Sequence, residues 1–247
     1  LVPSISSSKA IGDMETVKKR ISFSLLVSIL IGMPCMVAMI IFAKPILELL
    51  FPNATSGAFI YQISCLSIIF IVIEQIISGA LHGLGKVLAP AMALSVGVVI
   101  KFILNIYLIP IDTKDFFLGG TAGAAISTVI CHMIAVFIEL KILKKNINLK
   151  LDKKKFVLKP VLASIIMSVF AYIFYLTMIT RMNDKIVTLL SLLICAITYI
   201  VVLAILKIFS KEELFMIPFG QKIYYFLKKL GLYGNGSNTN EIYTYKR

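Results

Sequence analysis

The chain has 247 residues, 59% of them hydrophobic and only 15% charged, with a formal net charge of +13 and a mean hydropathy of +0.96. A soluble domain carries about 25% charged residues and could not cover its surface with so few, and a disordered chain is polar, which this one is not. Four cysteines without short spacings exclude a disulfide scaffold, so the sequence is that of an integral membrane protein whose positive charge has to be explained first by topology.

Residues 1–20 are polar and end in Lys18, Lys19 and Arg20. Asp13 and Glu15 also precede the first apolar run, so the segment does not read as a signal peptide. It is expected as a cytoplasmic connecting segment, and the start at Leu1 reads as that of a fragment. Six apolar runs of spanning length follow, at Ile21–Ala43, Ala58–Leu81, Val87–Ile111, Leu118–Leu140, Pro160–Thr180 and Ile186–Leu206. A hydrocarbon core of about 30 Å takes about 20 helical residues. Continuous runs of this length predict helices, because barrel strands alternate over about 10 residues. The expected organisation is four spans in 21–140, a basic cytoplasmic loop at 141–159, two more spans in 160–206 and an amphipathic cytoplasmic tail at 207–247. In the tail, Ser210-Lys211-Glu212-Glu213 has capping-box spacing, and Pro218 and Gly220 interrupt. Ile223, Phe226, Leu227 and Leu230 then form a helical stripe suited to the membrane interface, and from Gly231 the chain reads as flexible.

With the start of the chain inside, twenty of the twenty-five Lys and Arg fall on cytoplasmic segments, four (Lys44, Lys114, Arg181, Lys185) fall outside, and Lys101 lies in a span. This positive-inside bias predicts a multi-pass cell-membrane protein with both ends of the chain cytoplasmic. It also accounts for the charge without nucleic acid. The eight lysines of 141–159 attract anionic lipid, at about 1 kcal/mol for each one near the surface. A topology anchor and a dedicated headgroup site both fit that stretch.

Glu74, Lys101 and Glu139 are the charges within the spans, and such charges are costly unless they face a partner or water. Ser64, Ser67, Ile71, Glu74 and Ser78 step by three and four, which predicts one mostly polar face turned toward other helices or a cavity. Gly97, Lys101 and Asn105 share a face in the same way, and Gln75 adjoins Glu74. Lys101, Asn105, Glu74 and Gln75 are therefore the substrate or coupling candidates. Glu74 and Lys101 lie about 10 and about 21 Å from the inner ends of their spans, and a lysine stem narrows that gap. A structural pair and separate roles in a cavity both stay open. His82 reads as a helix-end anchor, and Gly119 and Gly123 as a close-packing motif.

No catalytic constellation is legible. The turn Gly79–Lys86 misses phosphate-loop spacing, and Val87 stands where Ser or Thr is needed. His82 and His132 have no metal-ligand spacing to Cys or carboxylates. Cys35, Cys65, Cys131 and Cys195 lie in four different spans as apolar fillers. No metal, cofactor or enzymatic activity is expected, which leaves a transporter or a membrane scaffold.

Leu1-Val2-Pro3-Ser4-Ile5-Ser6, Gly12-Asp13, Gly79-Ala80-Leu81-His82-Gly83-Leu84-Gly85-Lys86, Pro90, Lys101-x-x-x-Asn105, Gly119-Gly120-Thr121-Ala122-Gly123-Ala124-Ala125 and the stretch Ser210 to Gly220 follow one another in an order that resembles a known family. It is the C-terminal half of the polysaccharide-exporter and lipid-flippase group related to MATE transporters. The resemblance is nearest to the stage V sporulation protein B branch, to which the lipid II flippase MurJ is related. It implies an all-α fold of two six-helix lobes plus two appended helices, of which this chain holds the last six spans. The appended pair at 160–206 would border a groove for a lipid tail. The implied activity is alternating-access transport of lipid-linked polysaccharide or peptidoglycan precursors, in spore-wall formation for the sporulation branch. The implied partners are a lipid-linked sugar and the missing N-terminal lobe, beside the anionic lipids expected from the lysines. On that reading Lys101 contacts substrate phosphate or couples conformations, Asn105 supports it, and Glu74 is a gating or coupling carboxylate. A MATE-type drug or cation antiporter, a membrane-embedded cell-wall transferase and a scaffold are the alternatives.

Overall fold

The computed structural model describes residues 1–112, 116–149, 151–216 and 220–229. Within them the chain runs through α1 (Val2–Ala10), α2 (Met14–Ile41), α3 (Ala43–Leu50), a 3-10 turn (Pro52–Gly57), α4 (Ala58–Cys65), α5 (Ser67–Gly83), α6 (Leu88–Leu108) and α7 (Gly120–Ile147). A π-helical turn (Lys154–Leu158), α8 (Lys159–Met178), α9 (Asp184–Ile205), α10 (Lys211–Phe215) and α11 (Gly220–Lys229) complete it. Six segments are long and apolar enough to cross a membrane: Met14–Ile41, Thr55–Gly83, Leu88–Leu108, Gly120–Ile147, Lys154–Met178 and Asp184–Ile205.

Local chemistry moves several boundaries away from those the apolar runs predict. Residues 1–20 are largely helical. Gly12 ends α1 in the left-handed region at φ 76°, and the N–H groups of Gly12 and Asp13 close onto the Lys9 and Ser8 carbonyls. Asp13 then caps α2, its carboxylate accepting from the Thr16 N–H at 2.9 Å. The bonds from Thr16 hold the Asp13 carboxyl below its usual range. The first span therefore starts at Met14 and takes in Lys18, Lys19 and Arg20.

The second span is broken at Leu66 into α4 and α5. Ser64 Oγ donates to the Ile60 carbonyl at 2.9 Å and Ser67 Oγ to the Ser64 carbonyl at 2.6 Å, so both hydroxyls compete with the helical ladder at the break. The expected polar stripe is not continuous. Ser64 and Ser67 bond within their own strand of backbone, and Ser64 is exposed while Ser67 is buried.

The fourth span runs past Leu140 to Ile147, where Asn148 ends it at φ 48°. Residues 141–147 are thus helix and not loop. Lys141, Lys144 and Lys145 ride on the exposed side while Leu143 and Ile147 are buried. The Lys141 ammonium sits 4.3 Å from the centroid of the Phe137 ring.

Residues Leu1–Tyr199 form one compact unit. α2 packs on both α5 and α8, and α7 on α4, α5 and α6. Gln62 Nε2 donates to the Ile40 carbonyl at 3.0 Å between α4 and α2, and Phe42 meets Tyr175 edge-on at 5.6 Å. Ile21, Leu25, Leu26, Ile77, Leu81, Leu143 and Met167 are almost fully buried, whereas Phe102, Phe137 and Phe170 are more than half exposed. A bundle that shows its large apolar side chains outward is one whose solvent is lipid.

α1 lies along the end of α5, and the turn Gly79–Lys86 is the meeting place. Gly85, at φ 76°, and Lys86 close the last turn of α5 onto the His82 and Leu81 carbonyls. Lys9 Nζ donates to the Leu84 carbonyl at 2.7 Å, and Ser6 Oγ to the Gly83 carbonyl at 3.2 Å. A cation on the carbonyl end of a helix is favourable for both charge and hydrogen bonding.

The second compact unit begins at Ile200. Ser210 Oγ accepts from the Glu213 N–H at 3.3 Å, and Glu213 Oε2 from the Ser210 N–H at 2.8 Å, completing the predicted capping box of α10. Phe215 and Tyr224 join α10 to α11 at 5.7 Å. Leu227 is buried. Pro218, Leu230, the tail from Gly231 and the side chains of Ile223 and Phe226 lie outside the described residues.

Candidate functional site in the seam between α5 and α7

Glu74 does not pair with Lys101. Its Oε2 accepts from His132 Nδ1 at 2.7 Å, with 24% of the His132 side chain and 13% of the Glu74 side chain exposed. One turn further along α5, Ser78 Oγ donates to Glu139 Oε1 at 2.9 Å. Both contacts advance together along the two chains, as parallel helices require. The sequence spacing explains why these groups meet. Glu74 and Ser78 are four apart on α5, and His132 and Glu139 are seven apart on α7, so each couple shares one helix face. Between the two contacts the wall of α7 is Ala135 and Val136, both buried, which lets the helices approach.

Glu139 is fully buried, and among the described residues its Oε2 has no hydrogen-bond partner. Ser78 supplies its single hydrogen bond, and it forms no ion pair among the described residues.

On the other flank of α7, Ser127 Oγ donates to Asn105 Oδ1 at 2.5 Å and also lies 2.9 Å from the Ala124 carbonyl. α6 and α7 run antiparallel here. A Cβ on Gly97 would lie 2.6 Å from the Cys131 carbonyl, and one on Gly123 would lie 2.7 Å from Leu108 Cβ. Gly123 is thus a packing glycine between these two helices. Lys101, between Gly97 and Asn105, is half-buried and pairs with no carboxylate among the described residues. Gln75 is exposed.

The structure therefore brings Glu74 to α7 and Asn105 to α7 on separate flanks, and leaves Gln75 and Lys101 outside either contact. His132 and Glu139 were not among the candidates. An isolated histidine in a span shows no partner along the chain, because its partner stands on another helix. The usable signal was the seven-residue spacing of His132 and Glu139 set against the four-residue spacing of Glu74 and Ser78.

The MatE family model matches residues 2–107, less than half of the chain and ending within α6. The uncharacterized membrane protein YabM of Bacillus subtilis (strain 168) is 28% identical over 236 residues, covering 93% of this chain and 42% of YabM. Among solved structures, the lipid II flippase MurJ in an inward closed conformation matches with a TM-score of 0.65 at 23% identity, over 83% of this chain and 42% of that one. The chain thus spans about two fifths of the length of the relatives it matches. It is an all-α, multi-pass membrane protein that shares its fold with part of a flippase structure.

Proposed function

We propose that this chain is the C-terminal part of a membrane flippase that moves a lipid-linked polysaccharide or peptidoglycan precursor by alternating access. The fold shared with MurJ supports it, and the observation that carries it is Lys101: a cation on a span, half-buried and unpaired with any carboxylate among the described residues. A lysine held in this way is suited to the phosphate of a lipid-linked sugar. Asn105, fixed by Ser127, positions the face on which Lys101 stands. The Glu74–His132 pair is the coupling element, because it joins two helices across the seam. The lysine distribution favours a topology with both ends of the chain in the cytoplasm, and the partner that this reading calls for is an N-terminal lobe. The sporulation branch makes a spore-wall precursor the first substrate to test.

Lys101→Met in the full-length protein keeps the stem and removes the charge. It should abolish complementation of a strain lacking the transporter, with membrane expression and detergent monodispersity unchanged. Normal complementation rejects the role of Lys101. Drug efflux by the wild type without any effect on wall precursors replaces the flippase reading with the antiporter.

A further inference from the structure

We propose that Glu139 is an enclosed proton-binding site in the α5–α7 seam, a carboxyl that carries its proton at neutral pH. It is distinct from the Glu74–His132 pair and independent of which substrate the protein moves.

The argument is one of satisfaction. An ionised carboxylate has acceptor sites on both oxygens and no donor. Glu139 is fully buried by protein, receives one hydrogen bond from Ser78 at 2.9 Å, and has its second oxygen bare among the described residues. A charge removed from water with one donor and no counter-ion is far more costly than a neutral acid in the same place. The neutral acid keeps the Ser78 bond on Oε1 and puts its hydroxyl at Oε2, where only a single O–H then lacks a partner.

The surrounding charges point the same way. On the helices packed against α7, the titratable groups are Tyr61 and Cys65 on α4, Glu74 and His82 on α5, and Lys101 and Tyr107 on α6. On α7 itself they are Cys131, His132 and the lysines of its last turns. None of them forms an ion pair with Glu139 among the described residues. His132, on the same face, is already engaged by Glu74, so it does not serve Glu139 as a counter-charge.

The ligand is a proton and not a metal cation. Sodium takes several oxygen ligands, and among the described residues the side-chain oxygen bonded to Glu139 is the Ser78 hydroxyl, while the other polar groups of the seam, Glu74 and His132, bond each other. Among the described residues no cluster of three metal-binding side chains occurs.

Infrared spectroscopy of the full chain in nanodiscs tests this directly. At neutral pH the wild type should show the C=O stretch of a protonated carboxyl that moves on exchange into D2O. Glu139→Gln should remove that band while Glu74→Gln leaves it. Ser78→Ala should move it to higher frequency through the lost hydrogen bond. This last arm holds even if Glu139→Gln folds poorly, as helix content and monodispersity will show. A wild-type spectrum without the band at neutral pH, or a band that survives Glu139→Gln, overturns the proposal. So does a band that sodium bleaches and choline does not, which makes the site a sodium site instead.

Discussion

Gly97→Ala is the most direct probe of the seam between α6 and α7. The added Cβ would meet the Cys131 carbonyl oxygen at 2.6 Å and its sulfur at 3.0 Å, against 3.4 Å for ordinary contact. The oxygen belongs to the backbone of α7 and cannot swing aside, so the helices must part locally by about 0.8 Å, for which overpacking costs of about 1–3 kcal/mol are typical. Two turns along, the Asn105–Ser127 bond, 2.5 Å in the wild type, lengthens with them, and interhelical hydrogen bonds in membranes are worth about 0.6 kcal/mol. Alanine regains about 0.5–1 kcal/mol of helix propensity. The net expectation is a loss of about 1–2 kcal/mol. Gly57→Ala is the control, since a Cβ there meets nothing within 4 Å. It should stay within about 0.5 kcal/mol of the wild type. Reversible unfolding in mixed micelles with increasing SDS measures both. A Gly97→Ala protein as stable as the wild type, or a Gly57→Ala protein equally weakened, refutes the close approach on which the α6–α7 geometry depends.

A double-mutant cycle with Glu74→Gln and His132→Asn should give a coupling of about 0.5–3 kcal/mol in the same unfolding assay; additive losses would show that the 2.7 Å contact contributes nothing. Asp13 has its carboxyl pKa depressed by the Thr16 bonds, so its contribution is present above the unfolded value and is lost as pH falls through the folded one. Thermal unfolding should therefore find the wild type more stable than Asp13→Asn at neutral pH, with the gap closing in acid below the ordinary value of 3.8; a gap that stays constant with pH contradicts the cap.

Composition and run length were enough for the six spans, because a hydrocarbon slab selects on exactly those two properties. Their ends were less legible where the deciding interaction is local or three-dimensional. Asp13 starts α2 before the apolar run because it caps Thr16. α7 continues past Leu140 because Leu143 and Ile147 are buried on one face while the lysines beside them are exposed, and average hydropathy does not see faces. The polar stripe of the second span was legible only in part, since Glu74 and Ser78 face α7 while Ser64 and Ser67 bond to local backbone carbonyls. Equal spacing implies one face only if the helix is unbroken, and Ser64 and Ser67 mark a break. The spans carrying Glu74 and Asn105 were legible as polar-faced, but the partners were not, since His132 and Ser127 are 58 and 22 residues away from them along the chain.

α7 is the element through which the two flanks can act on each other. Ser127 and His132 are five residues apart, which places them about 140° apart around the helix, and Glu139 returns to within about 20° of His132. A rotation of α7 that tightens His132 on Glu74 therefore turns Ser127 relative to Asn105, whereas a slide along its axis disturbs both contacts in the same sense. Gly97 against Cys131 and Gly123 against Leu108 leave little clearance between α6 and α7, so a movement of α7 against α6 has to displace backbone as well as side chains.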